Sequence, residues 1–428
     1  MKPSQPIDSA PTVRRRQSGL WRTLGLLGPA LVAGVAYLDP GNVAANMTAG
    51  ARYGFLLVWV VVLGNLIAWL VQYLSAKLGL VTGKSLPELL GASITGTWSR
   101  RLFWAQAELV AVATDIAEVI GGAIALQLLF GLPLVVGGII TAAISLGILA
   151  IHNRANIRIF EWVIVALIVV VSIGFATGAI IHPAPATDVI GGLIPRITDT
   201  GSLLLATSIL GATIMPHAIY AHSALTRDRF GSTPEVPRLP VLVRATRIDV
   251  TVALLIAGGV NLAMLLIGAT TLSTMSGELT LDGIYHALST ALGPVIALFF
   301  ALGLLASGLA STSVGAYAGA EVMSGLLQIR IPLLARRVAT VLPAVIILGF
   351  GINPLWALIL SQVTLSMGIP FALIPLIAYT RKRGLMGEYV NTRATTALAV
   401  LATIVVTGLN FALIAITVMT ALGDSVIR

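Results

Sequence analysis

The stretch "AYLDPGN", Ala36 to Asn42, decides the fold because it interrupts a long apolar segment of the chain. It places an aspartate, a proline and a glycine side by side near the middle of that segment. A carboxylate is costly inside a bilayer, and proline and glycine are the poorest helix formers. The stretch therefore predicts a membrane helix that is broken around a single carboxylate.

The composition is typical of a membrane protein. Of the 428 residues, 57% are hydrophobic and only 10% are charged, and the mean hydropathy is +0.97, whereas soluble domains carry about 25% charged residues. The chain contains no cysteine, which excludes disulfides, thiolate metal ligands and thiol catalysis. It also lacks the phosphate-binding motif G-x-x-x-x-G-K-[ST], so we expect neither ATP hydrolysis nor a bound cofactor.

Apolar runs that are long enough to cross a bilayer recur along the whole chain. We number them segments 1 to 11, and they cover residues 24–50, 54–80, 102–129, 133–151, 160–181, 203–225, 248–271, 289–325, 332–351, 354–379 and 395–420. Residues 1–23 are polar and are predicted to form a cytoplasmic tail. We expect no signal-peptide cleavage, because segment 1 is too long for a signal peptide and contains the opening motif.

The basic residues predict the orientation of these segments. Of the 26 Lys and Arg residues, 23 fall in connections on one side of the membrane, and only Arg52, Arg196 and Arg428 fall on the other. Since basic connections stay in the cytoplasm, the N-terminus is predicted to be cytoplasmic and the C-terminus extracellular. The net charge of +9 is therefore explained by topology in a lipid bilayer, and we expect no nucleic-acid partner. The expected location is the plasma membrane.

A second break, "GATIMPH" from Gly211 to His217, interrupts segment 6. Segments 1 and 6 are each the first of five, so 24–181 and 203–379 are predicted to be two five-helix repeats of opposite orientation, with segment 11 at 395–420 outside them. Broken helices at matching positions of inverted repeats indicate a transporter site at the membrane midplane. The alternative is a pair of incidental proline kinks, which two matching breaks beside ligand-type side chains disfavour.

Each break supplies candidate ligands. A broken helix frees backbone carbonyls, here those of Ala36 and Ala212, and such groups are tolerated in a membrane only where they line a cavity or meet an ion. Asp39 and Asn42 add side-chain oxygens. Met215 adds a thioether sulfur, a soft ligand that suits Mn²⁺ or Fe²⁺ better than Mg²⁺ or Ca²⁺. The alternative for Met215 is ordinary apolar packing.

Segment 3 carries three acidic residues, Glu108, Asp115 and Glu118, within an apolar helix. Their spacing of seven and three residues places them on one side of that helix. Acids on one face of a membrane helix indicate a proton pathway. The alternative is a structural ion-pair network with Arg336 and Arg337 at the start of segment 9, and the two interpretations are compatible.

Asp39 is the expected first proton acceptor, and we hypothesise that metal arrival releases its proton toward Asp115 and Glu118. His217 follows the second break and can change its charge near neutral pH. Proton carriage by His217 and a neutral supporting role for it remain two open interpretations.

The motifs together resemble the Nramp (natural resistance-associated macrophage protein) family of proton-coupled divalent-metal transporters, and within it the bacterial manganese transporters. The resemblance rests on "GPALVAGVAYLDPGN", "AELVAVATDIAEVIGGAIAL", "GATIMPHAIYAHSAL" and "LLASGLASTSVGAYAGA". It implies an all-α polytopic LeuT-like fold with 11 transmembrane helices, of which helices 1 and 6 are unwound. It implies metal contact by the five ligands above, and by Gln362 of "LSQVTLS" in segment 10 in some states.

The expected function is that of a secondary active transporter, not an enzyme. The resemblance implies import of Mn²⁺ and Fe²⁺, and also of Cd²⁺ and Co²⁺, together with protons by alternating access, without an obligate protein partner. The alternative is a sodium-coupled amino-acid or organic-substrate symporter of the same fold, in which Asp39 would meet an amine; Met215 and the acids of segment 3 disfavour it. A membrane enzyme is a further alternative, and the sequence offers it no clustered histidines and no Ser-His pair at a plausible spacing.

Overall fold

A computed structural model of the chain describes residues 30, 36–152, 166, 169, 172–231, 239–273, 279–329 and 333–426. Within these ranges the regular structure consists of helices, and no residue is in a strand. The all-α class is therefore confirmed. The predicted tail 1–23, residues 24–29 and 31–35 of segment 1, and most of 160–171 in segment 5 lie outside the described residues.

The membrane segments form helices near the predicted positions. Seven helices in the described ranges are long and apolar enough to cross a membrane, and they belong to segments 2, 3, 6, 7, 8, 10 and 11. Segments 1, 4, 5 and 9 are represented by shorter or partly described helices. In order along the chain, the bounds are Pro40–Tyr53, Val58–Thr82, Thr97–Phe130, Leu134–His152, Ser172–Ile181, Thr200–Ile214 with Pro216–Phe230, Leu239–Ile267, Pro294–Leu327, Leu333–Gly349, Pro354–Thr380 and Arg393–Val426.

One predicted boundary is wrong. Segment 8 was expected to begin at residue 289, but a separate helix, Leu281–Leu292, occupies that position and the long helix begins at Pro294. Gly293 between them has φ 93°, a left-handed conformation that glycine adopts without strain and that ends the first helix. Pro294 then starts the next helix, since the first residues of a helix need no N–H donor.

The break in segment 1 has the predicted position. A short 3₁₀ turn, Ala36–Leu38, is followed by Asp39 in an extended conformation, and the helix Pro40–Tyr53 starts directly after it. In a continuous helix the carbonyl of Ala36 would accept from the N–H four residues later. That position is Pro40, which has no N–H, so the ladder ends there.

Segment 6 is broken by the same mechanism. The helices Thr200–Ile214 and Pro216–Phe230 meet at Met215, whose φ of 40° and ψ of 99° lie outside any helix. The carbonyl of Ala212 stands four residues before Pro216 and so loses its helical donor. A positive φ at a residue other than glycine costs on the order of 1–3 kcal/mol, which surrounding contacts must offset.

The helices pack in two groups, and each group combines segments from both halves of the chain. Segments 1 and 2 each pack against segments 6 and 7, and segments 3, 4, 8 and 9 all contact one another. Segment 10 packs against segments 3 and 6, and segment 11 packs against segment 10. In segment 6, 94% of the most apolar 18-residue stretch is buried inside the protein, whereas in segment 11 only 33% of the corresponding stretch is buried. Segment 6 therefore lies at the centre and segment 11 at the periphery.

The N-terminal end of segment 6 is fixed by a capping residue. The Oδ1 atom of Asp199 accepts from the backbone N–H of Ser202 at 2.7 Å and from the hydroxyl of Tyr53 at 2.8 Å. The backbone hydrogen bond from Ser202 makes the largest contribution to lowering the pKa of the Asp199 carboxyl below its ordinary value, and the hydrogen bond from Tyr53 adds to it. They also connect the end of segment 1 to the start of segment 6.

Segments 1 and 7 cross at a glycine, which gives a test of this packing. A Cβ added to Gly50 would overlap the carbonyl oxygen of Leu265 and lie 2.6 Å from the nitrogen of Ala269. Since both are backbone atoms, we expect Gly50→Ala to lower the free energy of unfolding by about 1–3 kcal/mol. The measurement is thermal unfolding of the purified protein. Gly259→Ala, whose Cβ would meet open space, is the control, and equal melting temperatures for the two variants would contradict the crossing.

Candidate metal site

The carboxylate of Asp39 lies at the N-terminus of the helix Pro40–Tyr53 and is fully buried. Its Oδ1 atom accepts from the backbone N–H of Asn42 at 2.7 Å and from the side-chain Nδ2 of Asn42 at 2.8 Å. A carboxylate in this position caps the free N–H groups of the helix and is stabilised by the positive end of the helix dipole. The break therefore holds a negative charge where the bilayer alone would not tolerate one.

Asn42 joins the two breaks. Its Nδ2 atom also donates to the main-chain oxygen of Ala212 at 2.9 Å, the carbonyl whose helical donor is missing at Pro216. Gln362 of segment 10 closes the arrangement, because its Nε2 atom donates to Asp39 Oδ2 at 2.8 Å. Segments 1, 6 and 10 thus meet at one carboxylate.

Two amide oxygens at this junction have no hydrogen-bond partner among the described residues. Asn42 Oδ1 and Gln362 Oε1 are both buried and unpaired, although the nitrogen of each amide is bonded to Asp39. A buried acceptor without a donor costs about 1–3 kcal/mol. A cation beside Asp39 would satisfy both oxygens, so the donor set fits a metal ion as a bound substrate.

The site carries one carboxylate and a mixed set of neutral groups. Met215 is fully buried at the second break, three residues after Ala212. No group of three or more His, Asp or Glu side chains that could hold a metal ion occurs in the described part of the chain. A single charge with neutral oxygens and one thioether is suited to an ion that must be released again.

The structure brings most of the predicted metal ligands together. Hydrogen bonds directly connect Asp39, Asn42, Ala212 and Gln362. Ala36 lies in the 3₁₀ turn that leads into Asp39. Their roles as metal ligands, and that of Met215, stay predictions.

Two residues that the sequence reasoning missed support the unwound stretch of segment 1. Asn261 of segment 7 donates to the carbonyl of Tyr37 at 3.0 Å, and Ser307 of segment 8 donates to the carbonyl of Leu38. Asn261 is an isolated amide in an apolar segment, which is a detectable signal. Ser307 lies in a stretch of segment 8 that is rich in small residues, and no feature of that stretch distinguishes Ser307 from its neighbours.

Glycines allow segment 10 to approach both breaks. A Cβ on Gly41 would overlap the side chain of Gln362, and a Cβ on Gly211 would overlap its carbonyl oxygen. These contacts explain why glycine occupies position 41, next to Pro40, and position 211, five residues before Pro216. Close backbone approach is a position where only glycine fits.

The acids of segment 3 face the arginines of segment 9, as the ion-pair interpretation predicts. Glu108 pairs with Arg336 at 2.9 Å, while Asp115 and Glu118 both pair with Arg337, the latter at 3.4 Å. The hydroxyl oxygens of Thr312 and Ser145 accept further hydrogen bonds from Arg337 at 3.1 Å and 3.3 Å. Three carboxylates thus pair with two arginines. One carboxylate oxygen of Glu108 and one of Glu118 have no hydrogen-bond partner among the described residues.

His217 connects the second break to segment 3. Its Nδ1 atom lies 3.2 Å from the hydroxyl of Thr114, and that hydroxyl already donates to the carbonyl of Val110 at 3.0 Å. Nδ1 must therefore donate its hydrogen, which leaves the unpaired Nε2 as a proton acceptor. Among the described residues no hydrogen bond joins Asp39 to the acids of segment 3, so a direct step between them has no hydrogen-bonded path in this conformation.

An ion-pair network closes the basic side of segment 6. Arg227 pairs with Glu88 at 2.9 Å, with Asp228 at 2.7 Å and with Glu321 at 3.2 Å. Glu88 belongs to the short helix Leu86–Ser93 and Glu321 to segment 8. The network therefore connects the two packing groups on the side that carries most of the basic residues.

Comparison with known sequences gives one family. Residues 30–416 match the family described as Nramp, natural resistance-associated macrophage protein-like. The chain is 54% identical over 393 residues to the divalent metal cation transporter MntH of Mycobacterium tuberculosis, with 92% of each chain covered. It is 43% identical over 394 residues to the protein of the same name from Bacillus subtilis, with 91% and 92% covered.

Solved structures agree with this match. The manganese transporter of Eremococcus coleocola superposes with a TM-score of 0.82 at 32% identity, covering 92% of this chain and 87% of that one. The nucleobase-cation-symport-1 family transporter Mhp1 gives 0.59 at 15% identity, with 92% and 93% covered, and MhsT in complex with L-phenylalanine gives 0.58 at 15%, with 90% and 98% covered. These last two show the fold alone, and the predicted LeuT-like class is confirmed.

The approach of segment 10 to the second break can be tested at Gly211. The clash of an added Cβ with Gln362 should move segment 10 and weaken the hydrogen bond to Asp39. We expect Gly211→Ala to weaken Mn²⁺ binding by about ten-fold or more, as losses of groups that orient metal ligands commonly do. The measurement is titration calorimetry on purified protein, with Gly408→Ala in the open surroundings of segment 11 as the control. Equal Mn²⁺ affinities would show that Gln362 does not shape the site.

Proposed function

The chain belongs to the Nramp family, and we propose that it is a divalent metal cation transporter that imports Mn²⁺ and Fe²⁺ together with protons. It is a multi-pass membrane protein. The relatives reported above are named as transporters, and none of those names describes an enzyme.

One observation carries the proposal. The two helix breaks meet at the buried Asp39 carboxylate, and the unpaired oxygens of Asn42 and Gln362 lie on the amides bonded to it. A sodium-coupled symporter for amines would need a pocket large enough for an organic substrate at this point. Here the side chains of Asn42 and Gln362 contact Asp39 directly, which leaves a small site suited to an ion.

The metal range follows from the ligand chemistry. Oxygen ligands alone would favour Mg²⁺ or Ca²⁺, which are abundant competitors. A thioether contributes little to those hard cations but is acceptable to Mn²⁺, Fe²⁺, Co²⁺ and Cd²⁺. We assign Met215 this role, with the main-chain oxygens of Ala36 and Ala212 as additional ligands in some states.

Alternating access would use the two packing groups. Segments 1, 2, 6 and 7 carry both breaks, while segments 3, 4, 8 and 9 form the other group. Rocking of one group against the other would expose Asp39 first to one side and then to the other. The ion pairs of Arg227 with Glu88 and Glu321 cross this boundary, so they would have to break when the basic side opens.

We assign the basic side to the cytoplasm, because positively charged connections remain there. We propose that the protein lies in the plasma membrane with its N-terminus inside and its C-terminus outside, and that it transports the metal inward. Protons would enter through Asp39 and leave through the acids and arginines of segments 3 and 9. The Nε2 atom of His217 is the available acceptor on the segment 6 side.

Mn²⁺ uptake into liposomes that contain an internal pH indicator tests both the activity and the role of sulfur. We expect wild-type protein to take up Mn²⁺ and acidify the lumen, with little uptake of Ca²⁺. Met215→Ala should reduce the preference for Mn²⁺ over Ca²⁺ by about ten-fold or more, since one soft ligand is lost. Met367→Ala, a change at a methionine 37% exposed on segment 10, is the control. Absence of Mn²⁺ uptake at every pH gradient would refute the proposed function, whereas unchanged selectivity would refute only the sulfur argument.

The proton route predicts a separate defect. Glu118→Gln leaves Arg337 paired with Asp115, and Asp115→Asn leaves it paired with Glu118, so both variants should fold. We expect each to retain Mn²⁺ binding but to lose most proton uptake or the pH dependence of transport. Asp188→Asn, at an exposed acid far from segment 3 in sequence, is the control. Normal proton flux and normal pH dependence in both variants would show that the segment 3 acids are structural only.

A further inference from the structure

A cleft opens on the basic side of the molecule, away from the central site. Its volume is about 590 Å³, and it lies between the short helix Leu86–Ser93 and the residues that follow segment 10. Its lining includes Leu89, Ser93, Tyr379, Lys382 and Arg383. The hydroxyl of Tyr379 contacts Ser93 and donates to the carbonyl of Leu89 at 3.1 Å, so the wall of the cleft is held by hydrogen bonds.

The cleft is surrounded by cations that have no carboxylate partner among the described residues. Lys382 lies over the ring of Tyr379 at 5.3 Å, and Arg383 is exposed beside it. Arg100 donates to the carbonyl of Ile94, the residue after Ser93, at 2.8 Å and 3.1 Å. Elsewhere on the same side Arg227 shows that acids are available for pairing. The described residues therefore leave the positive charge at the cleft without a paired carboxylate.

Segments 3 and 10 carry an apolar seam formed by Leu102, Phe103 and Phe371, and segment 10 also supplies Tyr379 to the cleft. The rings of Phe103 and Phe371 contact each other edge to face, with centroids 6.3 Å apart. Phe371 is 47% exposed and Leu102 is 69% exposed, so this seam faces the hydrocarbon of the bilayer. Phe371 precedes Tyr379 by eight residues, which is about 12 Å along the helix. The charged residues of the cleft and the apolar seam are therefore at different depths along segment 10.

We propose that this cleft binds the headgroup of an anionic phospholipid of the cytoplasmic leaflet. The phosphate would be attracted by Lys382 and Arg383, and the acyl chains would lie along the seam of Leu102, Phe103 and Phe371. Basic pockets between membrane helices on the cytoplasmic side have the charge and shape that such headgroups require. The proposal uses the orientation proposed above but is independent of which metal is transported.

Native mass spectrometry of delipidated protein tests this assignment. Phosphatidylglycerol and phosphatidylcholine with identical acyl chains are added separately to wild type and to the double variant Lys382→Gln/Arg383→Gln. Arg244→Gln/Arg247→Gln removes two exposed charges from the start of segment 7 and is the matched control. We expect wild type and control to retain one phosphatidylglycerol, and the cleft variant to lose about ten-fold or more in its affinity, because each cation near an anionic headgroup contributes several-fold.

The outcomes separate the cleft from general electrostatics. Equal losses in the two double variants, or equal retention of the two lipids by wild type, would overturn the proposal. Displacement of phosphatidylglycerol by millimolar inorganic phosphate would also overturn it, since the site would then recognise free phosphate. Mn²⁺ uptake by the cleft variant is measured in parallel and reports on the proposed transport, not on lipid binding. A failure of the transport proposal can therefore be told apart from a failure of the lipid proposal.

Discussion

Two helical hydrogen bonds that proline cannot donate organise the centre of this protein. Without N–H groups at Pro40 and Pro216, the carbonyls of Ala36 and Ala212 lose their partners inside a bilayer, where an unsatisfied backbone group costs several kcal/mol. The oxygen of Ala212 recovers a donor from Asn42, whose side chain also bonds Asp39. The carbonyl that is left without a donor at the break in segment 6 therefore receives one from a side chain at the break in segment 1. Because this donor comes from segment 1, the hydrogen bond constrains how segments 1 and 6 face each other.

The same geometry sets the electrostatics of the site. The helix Pro40–Tyr53 directs its N-terminus at Asp39, and the helix Thr200–Ile214 ends with its carbonyls at the second break. A helix N-terminus stabilises an anion and a C-terminus stabilises a cation. The junction thus holds a carboxylate while offering oxygens to a positive ion. Asn261 and Ser307 donate to the carbonyls of Tyr37 and Leu38, while the amide oxygens of Asn42 and Gln362 stay unpaired among the described residues.

The features that the sequence predicts well are those that a local rule determines. Breaks at Asp39 and Met215 follow from proline and glycine within apolar runs, and the segment positions follow from hydropathy. The start of segment 8 was wrong because Leu281–Leu292 is apolar enough to merge with the run, and only the conformation of Gly293 separates them. The support from Ser307 and the choice of Arg227 as the hub of an ion-pair network depend on tertiary approach. The spacing of residues along one segment does not show which residues of other segments approach it. Gln362 was predicted only through the family resemblance.

The two candidate networks of the protein meet at the second break. All hydrogen bonds of Asp39 lie within the metal site, and the segment 3 acids are bound to arginines of segment 9. His217 lies between them, two residues after Met215 in the chain and bonded through its ring to Thr114 on the helix that carries Asp115. A shift of segment 6 that moved Met215 toward or away from Asp39 would therefore also move the imidazole relative to Glu118. In the proposed transport, coupling between metal and proton would then require no continuous chain of hydrogen bonds in any one state, because Met215 and His217 are two residues apart in segment 6 and would move together.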